Sequence, residues 1–158
     1  MKIVAHRGLL NGPDKELENR PSTIYNALEN GFDVEIDMWW NENEQKYYLG
    51  HDEPQYKCPF EFLFGDHVDK IWYHCKDLLA FRTMISELSV AGHPQRNIFY
   101  HTEEDVVLTS KGHMWSFPGK AYAGSYAVLP EITQDVPLPQ DIAGICTDYA
   151  LYYRSIYE

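Results

Sequence analysis

The chain has 158 residues with 13 Lys and Arg against 24 Asp and Glu, a formal charge of −11 at pH 7. Hydrophobic residues make up 44% and aromatic residues 15%, which suits one domain over 1–158 with its own core and excludes a disordered chain. The acidic balance argues against a nucleic-acid partner, and no apolar run approaches the roughly 18–20 residues of a membrane span.

Met1–Arg7 lacks the apolar stretch and cleavage site of a secretory signal, and Cys58, Cys75 and Cys146 fit neither a disulfide framework nor a structural zinc site, so a soluble cytoplasmic protein is expected. Lys2–Ala5 is predicted as a short buried strand ending at His6-Arg7-Gly8, and Asn11–Arg20, polar and containing Gly12-Pro13, as a loop. Ser22 or Thr23 can cap a helix through Ile24, Ala27 and Leu28 that stops at Asn30-Gly31. Strands follow at Phe32–Met38 and Lys46–Leu49, split by the turn Asn41-Glu42-Asn43-Glu44. Lys70–Cys75 reads as a strand, and Asp77–Val90 as a helix with Leu78, Leu79, Phe81, Ile85 and Leu88 as its apolar set.

Asn97–Tyr100 is a strand opening after Gly92-His93-Pro94. Met114–Phe117, Tyr122–Leu129 and Ala143–Thr147 are strands without long helices between them, and Pro130, Pro137 and Pro139 mark a loop. Strand–helix–strand alternation implies parallel pairing with right-handed crossovers. An eight-fold barrel takes about 250 residues. The expected fold is therefore α/β, a reduced or incomplete TIM-type (β/α) barrel with helices missing in the C-terminal half.

Alternation along Val34-Glu35-Ile36-Asp37-Met38 puts Glu35 and Asp37 on one face and the apolar residues on the other. Two carboxylates so close repel unless a cation sits between them, and their oxygens suit Mg²⁺ or Ca²⁺; the alternative is a solvated pair on an edge strand. His6 and His51 each follow a short strand, and two imidazoles titrating near neutrality can divide the roles of base and acid. The planar fork of Arg7 matches phosphate oxygens. His74 and Lys76 share a face of their strand. Lys76 needs an anion, either the Glu35/Asp37 pair or a bound phosphate, because a buried unpaired ammonium is costly. His74 reads equally as a third metal ligand or as a hydrogen-bonding core residue.

The order His6-Arg7-Gly8, Glu18-Asn19, Glu35-x-Asp37, Gly50-His51-Asp52-x-Pro54 and Lys76 resembles the glycerophosphodiester phosphodiesterase family, within the phosphatidylinositol phospholipase C-like group. Gly144-Ile145-Cys146-Thr147-Asp148-Tyr149 is similar to that family's last strand. The ordered match runs from residue 3 to about residue 77. It implies His6 and His51 as the acid–base pair, Glu35 and Asp37 as metal ligands, and Arg7 and Lys76 as phosphate holders. Asn19 would support the phosphate or the metal. Two positions depart from the family pattern: His74 stands where a third carboxylate ligand is usual, and Glu18-Asn19-Arg20 where the family has Glu-Asn-Thr.

The expected activity is metal-dependent hydrolysis of a small glycerophosphodiester or a polyol- or sugar-phosphate diester. A lyase that stops at a cyclic phosphate and a non-catalytic metal- or phosphate-binding domain are the alternatives. Elsewhere, His101-Thr102-Glu103-Glu104-Asp105 ends a strand with clustered acids and reads as an added ligand or head-group contact or, better, as an acidic helix start. Trp39-Trp40 suits packing at a strand end, and Tyr149, Tyr152, Tyr153 and Tyr157 suit a cover over the sheet or an interface.

Overall fold

In the chain's first strand, β1 (Lys2–His6), every residue from Ile3 to His6 is buried, because parallel neighbours flank it on both sides. One neighbour is β10 (Gly144–Thr147), paired from Lys2↔Gly144 to Ala5↔Thr147. The other is β2 (Asp33–Asn41), where His6 lies beside Glu35. The computed structural model describes residues 1–88 and 95–158.

The nine-residue strand β2 carries more partners than its neighbours. One edge takes β5 (Ile71–Cys75) in parallel, with Glu35 beside Trp72 and Asp37 beside His74. The other edge takes β1 as far as Glu35, and from Met38 onward the antiparallel β3 (Lys46–Leu49). The chain leaves β1 through Arg7 and Gly8, both at positive φ (52° and 80°), so the end of β1 frees that edge for β3. Beyond β3 lies β4 (Tyr56–Lys57), and beyond β5 lies β6 (Asn97–Tyr100). On the far side of β10 come β9 (Tyr126–Val128), β8 (Met114–Ser116) and β7 (Val106–Leu108).

The sheet curls, and its two faces make two cores. Val4, Trp72, Phe99, Trp115, Tyr126, Val128 and Cys146 pack together inside, with the Trp72 and Tyr126 rings 4.4 Å apart. Outside, Ala5, Val34, Ile36, Met38, Ile71, Tyr73 and Ile98 pack against α1 (Pro21–Glu29), through Ile24 and Leu28, and against α3 (Leu78–Leu88), through Ala80, Met84 and Leu88. Ile36 is fully buried, and truncating it to Ala would cost about 2–5 kcal/mol through lost transfer energy and a cavity.

This arrangement overturns the expected TIM-type barrel. The sheet is a curled, mixed half-barrel, branched at β2, with antiparallel β2/β3, β3/β4 and β7/β8 pairs and only four short helices among the described residues. Those helices are α1, α2 (Glu61–Phe64), α3 and α4 (Ala150–Tyr157). A helical crossover needs about a dozen residues or more. The link from β8 to β9 is shorter and contains Pro118, Gly119 and Gly124, while the link from β9 to β10 has only the 3₁₀ turn Pro130–Ile132. No ladder joins β6 to β7 among the described residues. Ser110 bridges that gap instead: its Oγ accepts from Ile98 N–H (2.8 Å) and donates to the Arg96 carbonyl (2.7 Å).

Smaller differences have local causes. Helix α1 begins at Pro21, whose fixed φ suits a first helical position, with Arg20 rather than Ser22 or Thr23 at the cap. Asp77 precedes α3 and caps it, accepting a 2.6 Å hydrogen bond from Ala80 N–H. The expected end of that helix at Ser89-Val90 and the Gly92-His93-Pro94 turn lie outside the described residues. Strand β9 is shorter than the expected Tyr122–Leu129, since Tyr122–Ser125 forms a turn closed by Ser125 Oγ donating to the Tyr122 carbonyl (2.8 Å). The Tyr-rich tail forms α4. Residues 101–105 form no helix and lead instead into β7. No helix among the described residues is long and apolar enough to cross a membrane.

Candidate functional site

Because side chains alternate along a strand, the inner face of the curled sheet carries Val4 and His6 on β1, Glu35 and Asp37 on β2, and Trp72 and His74 on β5. The apolar members fill the lower interior. The titratable ones converge at the C-terminal ends of these parallel strands, and Lys76 and Asp148 join them from just past β5 and β10.

Glu35 Oε1, Asp37 Oδ1 and His74 Nδ1 form the centre, all within 4.8 Å of one another. His74 Nδ1 lies 3.4 Å from Glu35 and 3.2 Å from Asp37. Both carboxylates are 1% exposed, so little water reaches them to screen their repulsion. Asp37 Oδ2 is held by the Asn19 side-chain amide (2.8 Å) and lies 3.1 Å from Arg7 Nε. Asn19 Oδ1 in turn accepts the Asp37 N–H (3.0 Å), so Asn19 clasps Asp37 at both backbone and side chain. Asp37 Oδ1 is left over: two cationic groups stand near it, Lys76 Nζ at 3.6 Å and His74, yet it has no well-aligned hydrogen bond.

His74 Nε2 lies 3.0 Å from the His101 carbonyl, which can only accept, so Nε2 carries a proton and Nδ1 faces the carboxylates. Burial opposes charge on this ring, but the close Asp37 and Glu35 carboxylates overcome it and push its pKa up to about 9. Burial likewise opposes the Asp37 carboxylate, and His74, Arg7 and Lys76 together hold it well below its ordinary range. Arg7 is raised by Asp37, Glu35 and Glu18 against the effect of its own burial. Its Nη1 donates to Glu18 (2.8 Å) and its backbone N–H to Glu35 Oε2 (3.1 Å), leaving Nη2 uncommitted among the described residues.

His6 Nδ1 donates to Asp148 Oδ1 (2.6 Å), so its Nε2 is left free, 4.0 Å from Glu35 Oε2. Asp148 is itself seated by its N–H on Glu131 Oε1 (2.9 Å), which also accepts from the Thr147 hydroxyl (2.9 Å). A cleft of about 620 Å³ opens beside Asp148 and Glu131, lined by Tyr149, Tyr152 and Tyr153.

Seven of the eight residues singled out from sequence meet here: His6, Arg7, Asn19, Glu35, Asp37, His74 and Lys76. His51 does not touch them. Its side chain is 37% exposed and pairs only with Asp52 (2.7 Å) among the described residues. Its loop is nevertheless tied to the site, since Gly50 N–H donates to the Asp37 carbonyl (3.2 Å) and Trp39 Nε1 donates to the Gly50 carbonyl (2.6 Å). The hydrogen bond from His51, aided by the charges of Lys15 and Arg7, lowers the Asp52 pKa. Trp40 packs on Tyr47, as expected of an aromatic at a strand end.

Sequence reasoning assigned no role to Asp148, Glu18, Glu131 or the His101 carbonyl. Asp148 lies just past a strand and Glu18 beside Asn19, both within the family-like motifs, which is the signal the sequence offers for them; the His101 segment carries a signal for its side chain but not for its carbonyl, and Glu131 carries none.

The donor set suits a divalent cation. It offers two carboxylates and an imidazole whose far nitrogen donates to a carbonyl, the contact that commonly orients a metal-ligating His, and it leaves one buried carboxylate oxygen without a hydrogen bond. No protein-family model, no curated protein and no solved structure matches the chain.

Proposed function

We propose that the protein is a divalent-metal-dependent phosphodiester hydrolase, akin to the glycerophosphodiester phosphodiesterases that its motifs resemble. Its substrate would be a small glycerophosphodiester or polyol- or sugar-phosphate diester with a hydroxyl next to the scissile phosphate. The observation that supports this reading best is the meeting of Glu35, Asp37 and His74 with an imidazole, His6, oriented by Asp148. A cation held by those three donors would polarise a phosphate oxygen and acidify the neighbouring hydroxyl; the carboxylate pair taken alone suits Mg²⁺ or Ca²⁺.

His6 Nε2 accepts the proton of the attacking hydroxyl, and the Asp148 carboxylate on Nδ1 stabilises the imidazolium that results. His51, the outer imidazole on its Gly50-anchored loop, donates a proton to the departing alkoxide. Arg7, through its free Nη2, and Lys76 stabilise charge building on the phosphoryl oxygens, in surroundings dry enough to strengthen such contacts. The immediate product is a cyclic phosphate, and water then opens it with the two imidazoles exchanging roles. Three free cysteines, two of them buried, suit a reducing compartment, and the cytoplasm is the proposed location.

The test is turnover of a phosphodiester panel by the purified chain with added divalent ion, beside His6→Ala and His51→Ala. Phosphorus NMR separates a cyclic product, the mark of a lyase, from full hydrolysis. A wild type no faster than His51→Ala excludes this chemistry. The separation of His51 from the cluster favours one rival, a metal- and phosphate-binding domain without catalysis, for which calorimetry would register saturable binding and no turnover.

A further inference from the structure

We infer that His74 makes this centre selective for a borderline, nitrogen-accepting divalent ion, Zn²⁺, over Mg²⁺ and Ca²⁺. The inference rests on the metal-dependent reading above and specifies its cofactor. The three donors that meet within 4.8 Å are two oxygens and one nitrogen. Magnesium and calcium are hard ions that take oxygen ligands, and calcium affinity rises with the number of charged carboxylates. Imidazole nitrogen favours the later first-row ions. With an imidazole where a third carboxylate could stand, the ligand charge is −2 from Glu35 and Asp37, and one donor is a borderline nitrogen.

His74 is built to present that nitrogen. Its Nε2–H is fixed on the His101 carbonyl (3.0 Å), and its ring stacks on Phe99 with centroids 5.0 Å apart and planes 8° apart. The Phe99 stack fixes the plane of the ring, and turning Nδ1 away within that plane would break the Nε2–H bond to the His101 carbonyl. Asp37 is prepared in the same sense: Asn19 and Arg7 occupy Oδ2, so Oδ1 is the oxygen left to a cation. Satisfied second contacts on each ligand are what hold a metal site in one geometry.

The experiment is titration of the full chain with Mn²⁺, Zn²⁺, Mg²⁺ and Ca²⁺ separately, by calorimetry, for the wild type and for His74→Glu. Nitrogen coupling to bound Mn²⁺ is read by pulsed EPR of the wild type and His74→Gln. The expected result is a wild-type Kd for Zn²⁺ at least about tenfold below that for Mg²⁺ or Ca²⁺. His74→Glu should narrow that ratio by a similar factor, and the nitrogen coupling should vanish in His74→Gln. Equal affinity for Ca²⁺ and Zn²⁺, or Mn²⁺ bound without nitrogen coupling in the wild type, overturns the selectivity while leaving a metal site. The EPR signal of the wild type decides the point even if His74→Glu fails to fold. Absence of binding by every ion overturns both the selectivity and the metal-dependent reading beneath it.

Discussion

His6 Nδ1 lies 2.6 Å from Asp148 Oδ1, although 142 positions separate the two in the chain. The contact exists because β1 and β10 are parallel neighbours whose last residues end side by side. It fixes the tautomer of His6, since an ionised carboxylate accepts and cannot donate. It also turns Nε2 toward Glu35.

Asp148→Asn should therefore disable His6 while sparing the fold. The amide can donate to Nδ1 and so favours the tautomer whose Nε2 carries the proton and cannot accept one. A fall in kcat of about 10²–10⁴, the usual worth of general acid–base catalysis, is expected with Tm nearly unchanged. Steady-state kinetics on a phosphodiester that the wild type cleaves checks this, and an unaltered kcat would remove Asp148 from the mechanism.

Asn19 sits at φ 59°, a conformation in which Asn and Gly are the favoured residues, and it is fully buried. Asn19→Gly keeps that backbone but deletes both arms of the clasp on Asp37. Losing two buried hydrogen bonds, one to a charged oxygen, is expected to cost about 2–4 kcal/mol. Asn19→Ala should cost more, because Ala resists the positive φ. Urea midpoints of the two variants measure the difference, and equal midpoints would deny any backbone contribution.

Gly50→Ala should act on the His51 loop and leave the metal donors alone. A Cβ on Gly50 would stand 2.0 Å from the Glu53 carbonyl oxygen, at φ 153°, so the loop must shift. Glu35, Asp37 and His74 belong to strands β2 and β5, whose ladder keeps them in register even if the single Gly50 N–H bond to the Asp37 carbonyl is lost. The expected outcome is at least a tenfold loss of turnover, by misplacing an acid–base group, with the Kd for the bound ion unchanged. A parallel loss of ion binding would show that the loop and the donor set are not separable.

In chelator-treated protein, stability should fall as pH rises from neutral toward 9. The folded-state pKa of His74 is raised from 6.5 to about 9, so the folded chain holds that proton more tightly than the unfolded one. The resulting stabilisation is complete below about 6.5 and is lost as pH passes through the folded value. Asp37 works in the opposite sense, its lowered pKa contributing stability above the ordinary carboxylate range and losing it in acid. Thermal melts across pH 5–10 should show the alkaline decline in wild type and a flatter profile in His74→Gln. An equally steep decline in that variant would assign it to other groups.

Period-two alternation along Val34–Met38 was enough to put Glu35 and Asp37 on one face, and the same rule joined His74 to Lys76, because the pleat of a strand is a property of the local backbone. The amphipathic pattern that marks α1 and α3 is local in the same way, as is the placing of catalytic candidates at strand ends. Local pattern misled where it had to stand for pairing. The strand–helix rhythm of the front half suggests a TIM-type barrel, whereas β2 carries β1 and then β3 along one edge, the β8–β9 link is too short for a helix, and the Pro-rich β9–β10 link forms only a 3₁₀ turn. His6 against Asp148, Glu131 beneath Asp148, and the His101 carbonyl behind His74 depend on which distant strands lie side by side and in what register. Register is chosen by burial of the two cores as a whole, a sum over the folded chain that no single stretch of residues contains.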